Sequence, residues 1–226
     1  QQNNLADADE ALDNAIRYQS LNAREITDNS EALTLKKVIR QRYYDKKIAE
    51  AKSNTLTKNY DAALLNLDEA EQMLKDHELT APSDLKMIQQ QAARPRTSEL
   101  FYEGDKYIDQ GDLVNAGKKM QMAIQLQTKY DLTNDKELNK LKEQLRKKIS
   151  TQECINAQKE ITTLFNSGMQ KKSSNKLLEA SDDFNRALDI SRQFNNCAID
   201  VTQIESNELE IRPAATYLGM MRDFKD

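Results

Sequence analysis

Apolar residues recur along most of the chain at spacings of three, four and seven, the period of an amphipathic helix. Four segments share one arrangement: an alanine, a large apolar residue four positions later, and a second alanine three positions after that. They are Ala8-Leu12-Ala15, Ala63-Leu67-Ala70, Ala116-Met120-Ala123 and Ala180-Phe184-Ala187. Because small side chains let a neighbouring helix approach closely, we expect all eight alanines to be helix-packing positions.

A further small residue stands twelve positions before three of these segments. These residues are Ala51, Gly104 and Gly168. Short breaks at 57–59, 110–112 and 172–175 follow them, and each break is typical of a helix C-cap followed by an N-cap. The pattern predicts three helix–turn–helix hairpins, preceded at the N-terminus by the second helix of a fourth.

Two of the predicted helices are long, covering roughly 29–57 and 134–169. Prolines set the other predicted boundaries. Pro82 can start a short helix that ends at Arg94, because Pro95 then breaks it, and Pro213 divides the C-terminal tail.

We therefore predict an all-α chain that forms a single domain over 1–226. Its segments are a partial repeat (1–28), a hairpin (29–79), a short helix plus a hairpin (80–130), a long hairpin (131–197) and a C-terminal capping segment (198–226). A capping role fits the tail because terminal repeats are usually atypical. The start of a further domain is the alternative.

The hairpin pattern resembles the tetratricopeptide repeat family. The match is best from Leu100-Phe101-Tyr102-Glu103-Gly104 through Gly111-Asp112-Leu113 to Ala123-Ile124, and nearly as good from Leu164 to Leu188. The resemblance implies an α-solenoid of stacked antiparallel hairpins, in which the first helices line a concave face that grips a peptide or a partner helix. The closing alanines, however, are 55, 53 and 64 residues apart, against about 34 in the family.

Carried onto this chain, the resemblance implies partner-binding positions on the exposed side of the first helices. They are Ile48, Lys52, Phe101, Asp105, Asp109, Phe165, Met169 and Lys172. The alternative for the large apolar residues among them is that they fill space between elongated helices.

Tyr43 and Tyr44, flanked by Arg40 and Arg42, form a second candidate patch, because tyrosine and arginine are enriched at interface hot spots. Adjacent helical residues point about 100° apart, so one of the two tyrosines can equally be core.

Composition excludes several classes of protein. Five glycines and three prolines in 226 residues are too few for the frequent turns of a β-sandwich or barrel. The net charge of −4 argues against a nucleic-acid partner. The basic residues of 140–148 share their predicted helix with Glu137 and Glu143, as on a solvated helix surface. No apolar run approaches the roughly 18 residues of a membrane span, so we expect no membrane insertion.

Catalytic chemistry finds no support in the residue pattern. His77 is the single histidine, and its place near a predicted helix C-terminus suits a cap-and-dipole role. The two cysteines lack metal-ligand spacing, and neither a Gly-rich phosphate loop nor a nucleophile elbow is visible. We predict a protein that is not an enzyme and that uses no cofactor or metal.

The two cysteines are placed to form a disulfide. Cys154 and Cys197 lie at similar distances on either side of the turn at 173–176, and so at nearly the same height on adjacent antiparallel helices. The alternative is two free buried thiols. A disulfide favours a periplasmic or secreted location, as does a first residue, Gln1, that leads us to expect a processed chain. A cytoplasmic location is the alternative.

The sequence as a whole favours a non-catalytic scaffold that binds another protein or peptide, within a cell-envelope or secreted assembly. Two alternatives remain open: a long-helix structural spacer that self-associates, and an accessory domain of a larger enzyme.

Overall fold

The computed structural model describes residues 5–21 and 30–223, and these form eight helices and no strand. The prediction of an all-α chain is thereby confirmed for this part of the protein. The helices are α1 (Leu5–Leu21), α2 (Ser30–Leu56), α3 (Tyr60–Asp76), α4 (Leu85–Asp109), α5 (Leu113–Lys129), α6 (Lys136–Ser173), α7 (Leu177–Gln193) and α8 (Thr202–Asp223).

Turns are present at the three predicted breaks between helices, and they are built alike. Each has one residue with positive φ: Lys58 (60°), Gly111 (77°) and Asn175 (58°). The next N–H donates to the carbonyl five residues back: Asn59 to Asn54 (2.8 Å), Asp112 to Tyr107 (2.9 Å) and Lys176 to Lys171 (2.9 Å). This is the hydrogen bond of a Schellman C-cap. Four residues beyond each of these N–H groups lies the first alanine of the repeated pattern, which is Ala63, Ala116 or Ala180.

Helix lengths follow a rule within these hairpins. The second helices α3, α5 and α7 have 17 residues each, as does α1. The first helices α2, α4 and α6 have 27, 25 and 38 residues. The surplus length relative to a standard repeat therefore lies in the first helices and in the connections between hairpins.

Both proline predictions are wrong. Helix α4 continues through Pro95 and α8 through Pro213. A proline inside a helix removes one hydrogen bond and crowds the preceding turn. In α4 the residues around it, Ala92, Ala93 and Thr97, are fully buried. Packing on both sides of the proline thus outweighs its local cost, which the sequence pattern alone does not reveal.

The chain divides into two compact units. Unit 1 comprises residues 1–104 and 118–143, and unit 2 comprises 105–117 and 144–226. The division falls inside helices α4, α5 and α6, whereas the predicted segments met at turns. Helices α4, α5 and α6 therefore each contribute residues to both units, whereas α2 lies wholly in unit 1.

Unit 1 is held together by ion pairs as well as by its core. Arg96 of α4 donates to Asp61 of α3 and to Glu103, both at 2.6 Å, and Glu103 also accepts from Lys119 of α5 at 2.6 Å. Burial opposes the charge of Glu103, but its hydrogen bonds to Lys119 and Arg96 prevail and lower its pKa. One connected set of charges therefore links α3, α4 and α5.

Two further contacts of unit 1 involve the ends of its helices. The Tyr130 hydroxyl donates to Asp68 of α3 at 2.8 Å. His77 is the C-cap of α3, as its sequence position suggested, and its Nδ1 lies 3.2 Å from Nη1 of Arg40.

Unit 2 has an apolar core formed by α6, α7 and α8. Its buried members are Ile161, Leu164, Ala180, Phe184, Ala187, Leu188, Ile204 and Ile211. The ring of Phe165 packs against that of Phe184, with centroids 6.0 Å apart. Gly168 is buried beside the same ring. Phe184 is the centre on which α6 and α7 meet.

Most of the small residues are buried where the pattern placed them. Six of the eight alanines are at most 1% exposed: Ala63, Ala70, Ala116, Ala123, Ala180 and Ala187. Ala51, Gly104 and Gly168 are buried as well. Ala8 is half-buried, but Ala15 is exposed, so its predicted packing role is wrong. Helix α1 meets α2 through a half-buried face that carries Ala8, Leu12 and Ile16, and Ala15 lies outside that face.

The predicted disulfide between Cys154 and Cys197 is confirmed, with a Cα–Cα distance of 5.4 Å. Cys154 belongs to α6, and Cys197 lies in the connection between α7 and α8. The bond closes a sequence separation of 43 residues at the end of the α6–α7 hairpin opposite its turn.

We expect Gly168→Ala to destabilise unit 2. A Cβ at this position would lie 2.5 Å from Cε1 of the buried Phe184 ring, and overpacking of this kind costs about 1–3 kcal/mol. The matched control is Gly117→Ala in α5, where a Cβ meets nothing within 4 Å and helix propensity should add about 0.5–1 kcal/mol. Denaturant unfolding measures both changes. Equal stabilisation by the two substitutions would contradict the close contact.

Loss of the disulfide should lower the free energy of unfolding by about 4 kcal/mol, the chain-entropy value for a loop of this length. The comparison is the urea midpoint of the wild-type protein with and without reductant. The double variant Cys154→Ser/Cys197→Ser serves as control, because reductant should not change its urea midpoint. A wild-type midpoint that reductant leaves unchanged would show that the bond does not stabilise the fold.

Candidate protein-interaction surface

Helix α8 carries two apolar stripes. The inner stripe is Ile204, Glu208, Ile211 and Ala215, all at most 4% exposed. The outer stripe is Leu209, Pro213, Tyr217 and Met220, all exposed, with Leu209 and Tyr217 above 60%. Members of each stripe are three or four residues apart, so each occupies one side of the helix, and a turn of 3.6 residues places the two on roughly opposite sides.

The inner stripe attaches α8 to the rest of unit 2. Ile204 and Ile211 belong to the apolar core, and α8 packs along α7. At the start of the helix, the Asp200 carboxylate accepts from the backbone N–H of Thr202 at 3.0 Å and from its hydroxyl at 2.7 Å. These hydrogen bonds lower the pKa of Asp200. The position of α8 is therefore fixed by apolar burial and by the hydrogen bonds of Asp200 to its first residue.

A buried carboxylate interrupts the inner stripe. Glu208 is 2% exposed and accepts from the Arg212 guanidinium through Nε at 2.9 and 3.0 Å and through a further contact from Nη2. The carboxylate raises the pKa of Arg212. Because an unpaired buried charge is costly, this pair allows α8 to bury the whole stripe with one ionised member.

Lys172 of α6 contacts α8 instead of an open surface. Its ammonium donates to Asn207 at 2.8 Å and to Glu210 at 2.7 Å. The resemblance placed Lys172 among the partner-binding residues, and its hydrogen-bonding capacity is instead used within unit 2. The tail segment, for which the sequence predicts a capping role, covers this part of the predicted groove.

Acidic residues border the outer stripe. Glu205 lies at one edge and Glu210 at the other, and both are exposed. Within the described residues no cation pairs with Glu205, while Glu210 bonds to Lys172. Residues 174–223 contain nine acidic and five basic side chains, so they account for the entire net charge of −4 of the chain.

An open, acidic pocket of about 480 Å³ lies along α7 and the end of α6. Its lining residues are Lys171, Glu179, Asp182, Asp183, Asn185, Arg186 and Asp189. The best-defined interaction in it is the 2.7 Å bond between Lys171 and the buried Asp183 carboxylate. Burial raises the pKa of Asp183, but the hydrogen bonds from Lys171 and Ser167 outweigh it and the pKa is lowered.

Three of the predicted partner-binding residues belong to the core. Tyr44, Ile48 and Phe101 are 0%, 6% and 2% exposed. The expected exposure is wrong for Ile48 and Phe101, and Tyr44 is the tyrosine of the pair that belongs to the core. The alternative interpretation, that the large apolar residues of the first helices fill space between helices, applies to them. The sequence could not decide between the two because a buried and an exposed apolar residue show the same spacing.

The remaining predicted residues are distributed over both units. In unit 1, Tyr43 is half-buried, and the Lys47 ammonium lies 5.5 Å from the centroid of its ring. Lys52 is exposed, and its ammonium lies 3.4 Å from the Asp84 carboxylate.

The predicted residues of unit 2 lie on α4 and α6. The Asp105 carboxylate accepts a hydrogen bond from Lys148, and Asp109 is exposed. Phe165 packs on Phe184, and Met169 is 39% exposed. None of the predicted partner-binding residues in unit 2 belongs to the outer stripe or to its acidic borders.

The outer stripe was missed because of Pro213. Leu209, Tyr217 and Met220 are visible in the sequence at helical spacing, but a proline taken as a break assigns them to two separate segments. A single helix through Pro213 places them in one line.

Other kinds of site receive no support from the coordinates. No group of three or more His, Cys, Asp or Glu residues within 5–21 and 30–223 could hold a metal ion. None of the helices described here combines the length and hydropathy of a membrane span.

Comparison of the chain with protein-family models, with curated proteins and with solved structures finds no match in any of the three. The resemblance to tetratricopeptide repeats therefore stays a prediction that rests on the residues quoted for it.

Unit 2 should lose stability in acid as Asp183 protonates. The pKa of Asp183 is lowered by folding, so the ionised form stabilises the fold above the unfolded value of about 3.9, and this contribution is lost as pH falls through the folded-state pKa. Lys171→Met should raise that pKa, move the loss to higher pH, and cost about 1–2 kcal/mol at pH 7.

Thermal unfolding between about pH 2 and pH 7 measures this effect. The matched control is Lys176→Met, because Lys176 forms only an exposed pair with Glu179 at 3.9 Å, and such pairs contribute little. Parallel pH profiles for the two variants would contradict the role given to Lys171.

Proposed function

We propose that the chain is a non-catalytic protein-interaction scaffold that presents the outer stripe of α8 to another protein. The observation that carries this proposal is the outer stripe itself: Leu209, Tyr217 and Met220 lie in one line and are 56–64% exposed. Aligned, exposed apolar side chains on a helix already buried on its other side are typical of an interaction site.

The proposed scaffold is an α-solenoid of stacked helical hairpins. Its support is the turn geometry shared by Lys58, Gly111 and Asn175, together with the buried small residues that follow each turn. The resemblance to tetratricopeptide repeats points to the same architecture. Terminal helices of such arrays usually have a polar outer side, so the apolar outer stripe of α8 favours contact with a further helix.

The proposed location is the periplasm or the exterior of the cell, within a multiprotein assembly. The support is the disulfide between Cys154 and Cys197, because such bonds persist in oxidising compartments and are rare in the cytosol.

A capture experiment with paired variants tests the proposed function. The protein serves as bait in three forms: wild type, Leu209→Ser/Tyr217→Ser, and Leu56→Ser. Leu56 is 85% exposed and lies in unit 1, so it controls for loss of exposed apolar surface in general. We expect a specific protein to be recovered with wild type and with Leu56→Ser, and to fall at least about tenfold with the α8 variant.

Equal recovery by all three baits would contradict the assignment of the surface to α8. Formation of a defined oligomer by the chain alone, with no partner recovered, would favour the structural spacer instead. Circular dichroism of the double variant confirms that its helices are intact.

A further inference from the structure

We propose that the outer stripe of α8 binds a basic amphipathic helix of another protein. This inference rests on the proposed function and adds the chemistry of the partner. It follows from the shape of the stripe and from the distribution of charge in residues 174–223.

The shape of the stripe fits a helix. From Leu209 to Met220 it covers three turns, or about 16 Å along the axis at 1.5 Å per residue. Side chains spaced by three and four form a ridge that packs into the groove of a second helix. An occupant of about 14 residues with apolar side chains at positions 1, 4, 8 and 11 would cover the stripe.

The charge at the edges of the stripe selects a basic occupant. Glu205 is exposed, and no cation among the described residues pairs with it. Glu210, on the other edge, is 67% exposed at its side chain although it bonds to Lys172. Among the side chains of α8 that the structure describes, Arg212 is the cation, and it is bound to Glu208. Lysine or arginine residues flanking the apolar positions of an occupant would face these carboxylates, which favours association and fixes its register.

The same charges disfavour the other occupants. In an antiparallel pair of α8 helices from two copies of the chain, Glu205 and Glu210 would border the contact on both sides, and like charges across an interface are repulsive. A membrane surface rich in anionic lipids would be repelled in the same way.

Binding of two synthetic peptides to the full chain tests the proposal. Both peptides have about 14 residues and the same four leucines at helical spacing. One has lysines beside the leucines and the other has glutamates. Fluorescence anisotropy at about 0.15 M salt measures their affinities. We expect the lysine peptide to bind at least about tenfold more tightly than the glutamate peptide.

Three variants locate the bound peptide. Leu209→Ser/Tyr217→Ser should weaken binding of the lysine peptide at least about tenfold. Glu205→Gln should weaken it about threefold and reduce its salt dependence. Leu56→Ser should leave it unchanged. Serine and glutamine at exposed positions leave the core untouched, and thermal unfolding of each variant verifies this.

Each contrary outcome has a separate meaning. Equal affinities for the two peptides overturn the basic partner while leaving α8 as the docking site of the proposed function. If the α8 variant binds the lysine peptide as tightly as the wild type does, the site itself is overturned. Failure of both peptides to bind has the same meaning. A dimer in sedimentation that the α8 variant abolishes makes a second copy the occupant and overturns the proposal. Binding of the chain to anionic vesicles, lost in the α8 variant, does the same in favour of a membrane.

Discussion

The approach of α6 to α7 is limited by the ring of Phe184, and the whole of unit 2 is arranged around that contact. Gly168 allows the approach because a side chain there would occupy the space of the ring. Ala180 and Ala187 are fully buried in the same core, which also includes Ile204 and Ile211 and against which Phe165 packs. The position of α8, and with it the direction of the outer stripe, follows from how this small core is filled.

Much of this architecture could be predicted from the sequence because it depends on local rules. The turns after α2, α4 and α6 could be located from their capping residues, and the burial of Ala63, Ala116 and Ala180 from periodicity. Cys154 and Cys197 could be paired because, in two antiparallel helices, residues that are equally far in sequence from the turn lie side by side. In each case a short stretch of sequence and one geometric rule are enough to predict the feature.

The errors arose where distant packing decides. Pro95 lies within α4 because fully buried neighbours compensate for it, and no local pattern contains that information. The spacing of Phe101 and Ile48 in the sequence suits a groove position and a core position equally well. Only the positions of the other helices decide which of the two positions each residue has. The outer stripe of α8 was missed for the same reason as Pro95: a local rule about proline concealed a continuous helix.

The hairpins combine second helices of constant length with first helices of very different lengths, and the turn explains how. The backbone hydrogen bonds of each turn involve only residues near the helix ends, so they do not depend on the length of the first helix. Whole turns can therefore be inserted into or deleted from α2, α4 or α6 at their distal ends without disturbing the alanine contacts beside the turn. A first helix can thus change its length in steps of about 5.4 Å while the turn that follows it stays the same.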